Sequence, residues 1–285
     1  MTLIRPSVFR RRSRLRVVLF SGGRGSGALA RQLTQHPAID LTVAINGYDD
    51  GASTGEVRRF LGDSLGPSDF RKNASRLATE LSTAPAALVA LLDGRLPVGC
   101  DAQGARAAIG AAKRGDHPWT VAVSRYLEAF EQELDRTGRP FDFSDCSLGN
   151  LVFAGTFLSA GHDFNRAVAD YCALLQLPPG LVENVTDGTN AYLVAVDTAG
   201  RLLASEEEVV DAKRQNRIAE IYLIGRPLEP AEQAQVAALG PAERDQFLES
   251  RSVAVRVNPA VVEALRDADL IIYAPGTQHS SLFPS

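Results

Sequence analysis

Two adjacent carboxylates, Asp49 and Asp50, follow an apolar, β-branched run that ends at Ile45. Glycines and hydroxyl residues come next, Ser53 among them, in the stretch Y-D-D-G-A-S-T-G. Carboxylates at the end of a buried strand can hold a divalent cation or orient a ligand hydroxyl. A D-D-G sequence is also an ordinary polar turn, so other motifs must decide between a turn and a ligand site.

The first apolar run, residues 17–20, leads into a glycine-rich segment and then into a helical pattern over residues 28–33. The glycines of this segment are Gly22, Gly23, Gly25 and Gly27. Gly23, Gly25 and Ala28 have the G-x-G-x-x-A spacing that brings backbone N–H groups and a helix N-terminus to a phosphate. Glycine-rich turns also serve tight packing, and this motif alone leaves both interpretations open.

Three polar, glycine-bearing loops follow short apolar runs: residues 21–27, 48–55 and 275–281. Short apolar runs separated by helical patterns predict an α/β fold with a mainly parallel sheet. In such a sheet, ligands bind beyond the carboxyl ends of the strands. The strands that end at Phe20, Ile45 and Ala274 should therefore open on one edge of the sheet.

The bulk composition is that of an ordinary globular protein and argues against several functional classes. Among 285 residues, 45% are hydrophobic and the net charge is -4, which gives no pull toward nucleic acid or a membrane surface. No apolar run reaches the roughly 18–20 residues of a membrane span. Cys100, Cys146 and Cys172 are widely spaced and form no C-x-x-C pair. They indicate a reducing, cytoplasmic setting without a disulfide framework or a zinc site.

The N-terminus is strongly basic, because no acidic residue precedes Asp40 while eight arginines do. Residues 1–15 are interpreted as a basic tail. A solvated tail, a basic cover over a polyanionic ligand and a targeting peptide are the alternatives. Residues 16–285 are predicted to form a single α/β domain. The chain stops shortly after its last apolar run, where a further helix is expected, so it is interpreted as a shortened version of a longer architecture that lacks the C-terminal continuation.

The middle of the chain has helical periodicity. Its apolar residues form two predicted core stripes: Leu77, Leu81, Leu88 and Leu91, and Val121, Tyr126, Leu127 and Phe130. The S-L-G-N segment from Ser147 to Asn150 opens another helix and is either an ordinary N-cap or an anion-facing helix start. Strand patterns follow from residue 181, with a turn at residues 198–200. A polar helical insertion over residues 229–250 and a final buried strand over residues 270–274 complete the prediction.

Taken together, these motifs resemble the CofD-like family. The segments LFSGGRGSGALARQL, LTVAINGYDDGASTGEVRR, GPSDFRKN, SLGNLVFAG and ADLIIYAPGTQHSSLFPS occur in the order of that family across nearly the whole chain. The resemblance implies a three-layer, Rossmann-like α/β fold, with helices on both faces of a mainly parallel sheet. One branch of the family holds the 2-phospho-L-lactate transferases of deazaflavin coenzyme biosynthesis. The other holds YvcK-type gluconeogenesis factors, which bind UDP-sugars.

The resemblance also implies roles for the residues at matching positions. Asp49 and Asp50 match an acid pair that lies at the acceptor and the magnesium-dependent centre of the transferases. They are therefore the expected catalytic residues and ligands of Mg²⁺. The other matching residues are expected to bind nucleotide or phosphate: Gly22, Gly23, Gly25, Gly27, Ser53, Asp69, Arg71, Asn73, Ser147, Asn150, Gly276, Thr277 and Ser281.

Two functions remain open at this point. In the transferase interpretation, an acceptor hydroxyl such as that of a deazaflavin attacks a nucleotide-activated diphosphate, and a nucleoside monophosphate leaves in an Mg²⁺-dependent step. In the regulator interpretation, the same pocket binds a nucleotide-sugar and no bond is broken. Both imply a nucleoside diphosphate or nucleotide-sugar ligand and no nucleic-acid or membrane partner. The protein is also considered a candidate homodimer.

Overall fold

The computed structural model of the chain describes residues 14–22, 25–205, 208–209 and 216–274. The larger sheet consists of β1 (Leu15–Ser21), β2 (Ile39–Ile45), β3 (Val182–Asn184) and β7 (Leu270–Tyr273). Its strand order is β3-β2-β1-β7, and each neighbouring pair is parallel. The predicted α/β fold with a mainly parallel sheet is confirmed.

Alternate residues of β1 pack into two different hydrophobic cores. Val17 and Leu19 contribute to the large core, whereas Val18 and Phe20 contribute to a smaller core that also contains Val261. Successive side chains of a strand point to opposite faces of the sheet, so a strand apolar at every position must be covered on both sides. The continuous apolar run in the sequence therefore encodes the central layer of a three-layer structure.

Helices pack on both faces of this sheet, and the other helices of the described residues pack on one another or on a second, smaller sheet. The helices are α1 (Gly27–Gln35), α2 (Ala52–Leu61), α3 (Ser68–Leu81), α4 (Ala86–Asp93), α5 (Ala102–Ala112), α6 (Pro118–Thr137), α7 (Leu148–Ser159), α8 (Phe164–Leu174), α9 (Pro230–Ala238), α10 (Pro241–Glu249) and α11 (Pro259–Asp267). In the described part of the chain no helix qualifies as a bilayer span; even the 20-residue α6 carries charged residues along its length.

Helix α7 forms the centre of the helical layer, and residues 149–157 are all buried. A helix that is apolar on every side has to be surrounded by other elements. Helix α6 crosses it at Gly155, where a Cβ atom would overlap the carbonyl oxygen of Tyr126. The absent side chain lets the two helix backbones approach closely.

A second sheet is antiparallel and contains β4 (Tyr192–Asp197), β5 (Leu202–Leu203) and β6 (Ile218–Ile224), in the order β5-β4-β6. The predicted turn at residues 198–200 joins β4 to β5, and Gly200 there has a φ of 81°, which glycine adopts most readily. Val194 and Val196 on one face of β4 pack with Leu248 of α10.

Three details differ from the sequence prediction. The final strand was expected to be buried, yet Leu270 is 45% and Tyr273 60% exposed, because β7 is an edge strand. Val121 was placed in a core stripe but is 77% exposed on α6. The polar insertion forms two helices, α9 and α10, since Gly240 and Pro241 end one helix and start the next.

Candidate functional site

The strand ends that were predicted to share one edge of the sheet do so. Ser21 and Ile45 are partners in the parallel register of β1 and β2. Beyond β7, the N–H of Ala274 donates to the carbonyl oxygen of Phe20 at 2.9 Å. Four of the predicted ligand-binding residues lie outside the described residues: Gly23, Gly276, Thr277 and Ser281.

The glycine loop after β1 is held by short polar contacts. Ser21 Oγ and Ser26 Oγ lie 2.5 Å apart, and Asn73 Nδ2 donates to the carbonyl oxygen of Gly22 at 3.0 Å. Ser26 occupies the N-cap position of α1 but makes no capping bond with its side chain. The N–H groups of the first helical turn are therefore suited to an anionic ligand.

Arg76, on α3, packs against this loop, although the sequence motifs gave it no role. A Cβ atom on Gly27 would lie 2.9 Å from Nη1 of Arg76, so the guanidinium group packs directly against the start of α1. Arg76 follows Asn73 by three positions on α3, which places both side chains on neighbouring parts of one helix face. That spacing was the only signal in the sequence.

The acidic loop after β2 turns its two carboxylates toward different partners. Asp49 Oδ1 accepts from the N–H of Gly51 at 3.1 Å, and Asp49 Oδ2 accepts from Thr54 Oγ1 at 3.4 Å. Asp50 Oδ1 lies 3.6 Å from Nη1 of Arg58. Burial raises the pKa of Asp50, and Arg58 opposes that shift.

Arg58 is fully buried and positions this loop. Its guanidinium group donates to the carbonyl oxygens of Tyr48 and Asp49, each at 3.4 Å. It also donates to Ala191 O at 2.5 Å and lies 4.2 Å from the ring centroid of Tyr192. The sequence shows Arg58 only as one of two arginines on a helix, so its burial could not be predicted.

Asp69 brings a third carboxylate to the same region from the first turn of α3. Burial raises the pKa of Asp69, and the negative charge of Asp49 raises it further. Lys72 Nζ lies 3.5 Å from Asp69 Oδ1 and opposes the shift. Thr54 and Ser68 connect the two acids, because the Thr54 hydroxyl contacts both Asp49 and the hydroxyl of Ser68.

Asp49 and Asp69 fit a divalent cation that is shared with a ligand. Mg²⁺ in phosphoryl-transfer sites is commonly held by one or two carboxylates together with phosphate oxygens. Within the residues that the structure describes, no group of three or more His, Cys, Asp or Glu side chains could hold a metal ion. Asp49 and Asp69 alone would leave most positions around a divalent cation to ligand oxygens and water.

Four of the predicted residues form one hydrogen-bonded network. Asn150 Oδ1 accepts from Arg71 Nε at 3.1 Å, and Asn150 Nδ2 donates to Ser53 Oγ at 3.2 Å. Ser147 is the N-cap of α7 and accepts from the N–H of Asn150 at 3.2 Å. Arg71 Nη1 also donates to Asp93 at 2.7 Å. The S-L-G-N segment is thus an ordinary cap, and it also orients Asn150 toward the site.

Asn46, directly after β2, is a further residue that the motifs missed. Its side chain is 3% exposed, and its Oδ1 accepts from the N–H of Tyr48 at 3.0 Å, which fixes the amide orientation. Its Nδ2 is buried and has no hydrogen-bond partner among the described residues. A buried amide donor without a partner at a strand end indicates a place for a ligand acceptor.

A family model described as 2-phospho-L-lactate transferase CofD matches residues 17–285 of this chain. The chain belongs to the CofD family. The match includes both strand-end loops and the network around Asn150, so the residues assembled above all lie within the region that defines the family.

Curated relatives of this CofD family member are named gluconeogenesis factors. The protein of Bacillus subtilis (strain 168) is 22% identical over 272 residues, which are 95% of this chain and 60% of the relative. That of Halalkalibacterium halodurans is 23% identical over 269 residues, which are 94% of this chain and 59% of the relative. The chain thus spans about 60% of the length of these relatives.

Solved structures show the same fold. A crystal structure of a UPF0052 family member from Bacillus halodurans superimposes with a TM-score of 0.60 at 21% identity. The similarity covers 96% of this chain and 62% of that one. A second X-ray structure of a Bacillus halodurans protein gives a TM-score of 0.59 at 22% identity.

Proposed function

We propose that the protein binds a nucleoside diphosphate ester at the carboxyl edge of the parallel sheet and transfers a phosphoester group from it to a hydroxyl acceptor. The observation that carries this proposal is a chain of contacts between the acidic loop, Asp69 and the glycine loop. Thr54 Oγ1 contacts Asp49 and Ser68, which precedes Asp69, and Asn73 Nδ2 donates to the carbonyl oxygens of both Asp69 and Gly22. Two partly buried carboxylates repel each other and would weaken phosphate binding unless a cation lay between them and the phosphates. A site built only to retain an anion would not need them.

The electrostatics of the carboxylates support a role for Mg²⁺. Asp49 and Asp69 would hold the ion, and burial together with the charge of Asp49 raises the pKa of Asp69. When bound, Mg²⁺ would neutralise charge that develops on phosphoryl oxygens. Asp50 is ion-paired with the buried Arg58. We therefore assign Asp50 to orientation of the acceptor hydroxyl and not to binding of the ion.

The reaction in this proposal is an in-line displacement at phosphorus. The acceptor oxygen forms a bond to the phosphorus of the donor, the phosphoanhydride bond breaks, and a nucleoside monophosphate leaves. The hydroxyl proton passes to the Asp50 carboxylate, whose pKa is raised by burial. The resemblance described above adds the substrate classes, a 2-phospho-L-lactate-type donor and a deazaflavin-type acceptor. A reducing cytoplasm is part of the proposal, since Cys100, Cys146 and Cys172 are free thiols.

A second candidate is a non-catalytic regulator that binds a nucleotide-sugar. It is supported by the name of the curated relatives and by the commitment of Asp50 to Arg58. In that case the pocket would bind a UDP-sugar, and no product would form with any acceptor.

Turnover with Mg²⁺ separates the two candidates. The protein is incubated with nucleoside-diphosphate-activated 2-phospho-L-lactate, a deazaflavin acceptor and Mg²⁺, and release of GMP or UMP is measured. We expect Asp49→Asn to lower turnover by about 10²-fold or more while nucleotide affinity changes little, because the contact is needed mainly in the transition state. Nucleotide-sugar binding without monophosphate release, in wild type and variant alike, would favour the regulator.

Binding itself is tested at the glycine loop. Thermal shifts are recorded with GDP, UDP and nucleotide-sugars, with and without Mg²⁺; a ligand in tenfold excess over its Kd stabilises by about 1.4 kcal/mol. Gly25→Val should abolish the part of the shift that comes from binding at this loop, because a branched side chain would fill the space of a phosphate. A folded Gly25→Val protein with the wild-type shift would rule out phosphate binding at this loop.

A further inference from the structure

A cleft of about 370 Å³ is lined by residues of α3, by the last residue of α4 and by the segment that follows α4. Its charged lining residues are Arg71, Lys72, Arg76, Arg95 and Asp93. Four cations and one carboxylate around a single cavity make an uneven charge distribution for a protein whose net charge is -4.

Two different elements direct these cations into the cleft. Lys72 and Arg76 are four positions apart on α3, and like charges at that spacing destabilise a helix. Arg95 comes from the segment after α4, where an antiparallel bridge to Ser147 fixes its backbone. Core packing does not require the charges of Lys72 and Arg95, since Arg95 is exposed and Lys72 is partly exposed. A ligand of opposite charge would offset their mutual repulsion.

The acidic partners of the two arginines are partly exposed, whereas Lys72 pairs at 3.5 Å with Asp69, whose side chain is only 12% exposed. Arg71 Nη1 lies 2.7 Å from Asp93, and Arg95 Nε lies 2.5 Å from Asp145. The side chains of Asp93 and Asp145 are 48% and 56% exposed. Ion pairs that open to water contribute little to stability. A ligand with several negative charges can therefore replace the two carboxylates at small cost, while the 5% exposed Arg71 side chain stays in place.

We propose that this cleft, which adjoins the glycine loop through Arg76 and the Asn150 network through Arg71, is a second anion site for a small molecule with two or more phosphate groups. Arg71 and Arg95 bind the phosphate oxygens, because planar guanidinium groups form paired, charge-assisted hydrogen bonds with them. Lys72 adds a flexible point charge. Arg76 forms the wall toward the glycine loop, since it packs against Gly27. The site does not depend on transferase activity and exists in the same form in a regulator.

The test uses inorganic pyrophosphate as the probe, titrated calorimetrically into the full chain without Mg²⁺ at about physiological salt. Gly25→Val, which blocks the glycine loop, should leave pyrophosphate binding to the cleft intact. Arg95→Gln should weaken that binding about tenfold or more, because a charge-assisted contact is lost. Thr79→Glu places a carboxylate at an exposed lining position and should abolish pyrophosphate binding. It removes the hydrogen bond from Thr79 Oγ1 to the carbonyl oxygen of Ser75 at 3.0 Å but leaves every cation of the cleft in place.

Asp145→Asn is the matched control, because it breaks the same ion pair as Arg95→Gln but leaves the cation in place. It should keep or tighten pyrophosphate binding. Three results would each overturn the proposal: no binding by folded Gly25→Val, unchanged binding by Thr79→Glu, or equal weakening by Asp145→Asn and Arg95→Gln. Melting curves confirm that each variant is folded. If Arg95→Gln does not fold, pyrophosphate binding by Thr79→Glu tests the proposal on its own.

Discussion

Asp69 lies in surroundings that disfavour its ionised form. It is 8% exposed, and both burial and the nearby Asp49 raise the pKa of its carboxyl above the usual 3.8. Lys72 Nζ, at 3.5 Å, lowers the pKa of Asp69 but offsets only part of that increase. A carboxylate kept under such conditions is typical of a site where a ligand or cation supplies the missing stabilisation.

Asp69→Asn should therefore stabilise the protein at neutral pH. Because the folded-state pKa of Asp69 is raised, the native state binds more protons than the unfolded state between the usual and the raised pKa. The contribution of this group to stability falls as pH increases through that window and stays low above it. Asparagine cannot ionise and removes this cost. Melting temperatures at a series of pH values should show a gain at pH 7 that vanishes below about pH 4.

Asp135→Asn is the control for this prediction, because Asp135 lies in an exposed pair with Arg106. Asp135→Asn should change the free energy of unfolding by no more than about 0.5 kcal/mol. Mg²⁺ should raise the melting temperature of the wild type more than that of Asp69→Asn. A lower melting temperature of Asp69→Asn at every pH would mean that the charge is stabilising on balance, in contradiction to the raised pKa.

At the scale of single residues, the sequence could predict the side chains that carry recognisable chemistry. Ser53, Arg71 and Asn150 are hydrogen-bonding types at helix starts within spaced motifs, and the structure brings them together. Arg58 and Arg76 were missed because an arginine on an amphipathic helix usually faces water. Only the tertiary structure shows that Arg58 finds backbone acceptors from Tyr48 and Ala191.

At the scale of elements, the contact between α6 and α7 depends on a single missing methyl group. Gly155→Ala would drive a Cβ atom into the carbonyl oxygen of Tyr126, and backbone cannot move aside as a flexible side chain does. We expect a loss of about 3 kcal/mol or more in the free energy of unfolding, at or beyond the upper end of ordinary overpacking. Urea unfolding measures it.

Gly110→Ala in α5 is the matched helical control. The nearest atom to its new Cβ would be Nη1 of Arg114 at 3.7 Å, an ordinary contact. Alanine there should stabilise the protein by about 0.5–1 kcal/mol, because glycine has the lower helix propensity. If both variants were destabilised equally, the close approach of α6 and α7 would not be the cause.

The sequence predicted an element well where the element's own residues determine its burial. It failed where burial depends on which other elements lie beside it. The apolar run of β1 required cover on both faces, and the structure provides it. The run of β7 is equally apolar, but whether another strand follows it in the sheet cannot be deduced from its own residues. Its side chains are exposed because it is an edge strand.

At the scale of the whole molecule, Arg58 joins the parallel sheet to the antiparallel one. It lies on α2 beside the acidic loop, and its Nη2 binds Asn190 Oδ1 at 2.9 Å and Ala191 O at 2.5 Å, just before β4. The ring of Tyr192, the first residue of β4, faces the same guanidinium group at 4.2 Å. One buried side chain thus fixes the start of the second sheet against the site.

Arg58→Met should lower the free energy of unfolding by about 3–5 kcal/mol, since several buried acceptors and Asp50 would lose their contact with Arg58. Hydrogen exchange should accelerate at β4 more than at β1. Arg59→Met, one position along and 69% exposed in its pair with Glu56, should change stability by less than about 0.5 kcal/mol. Uniform acceleration of exchange across both sheets would show that Arg58 supports the whole fold rather than the junction.

The pairing of β1 with β7 joins distant parts of the chain, as Arg16 and Asp269, which hydrogen-bond beside it, are 253 positions apart. On the ribosome, β1 emerges early and its second edge has no partner until β7 is made. At about 5–20 residues per second this interval lasts about 10–50 s. An apolar strand with a free edge is a template for pairing with other chains. The yield of folded protein should therefore depend on how quickly the final part of the chain is synthesised and on chaperones that shield β1 until then.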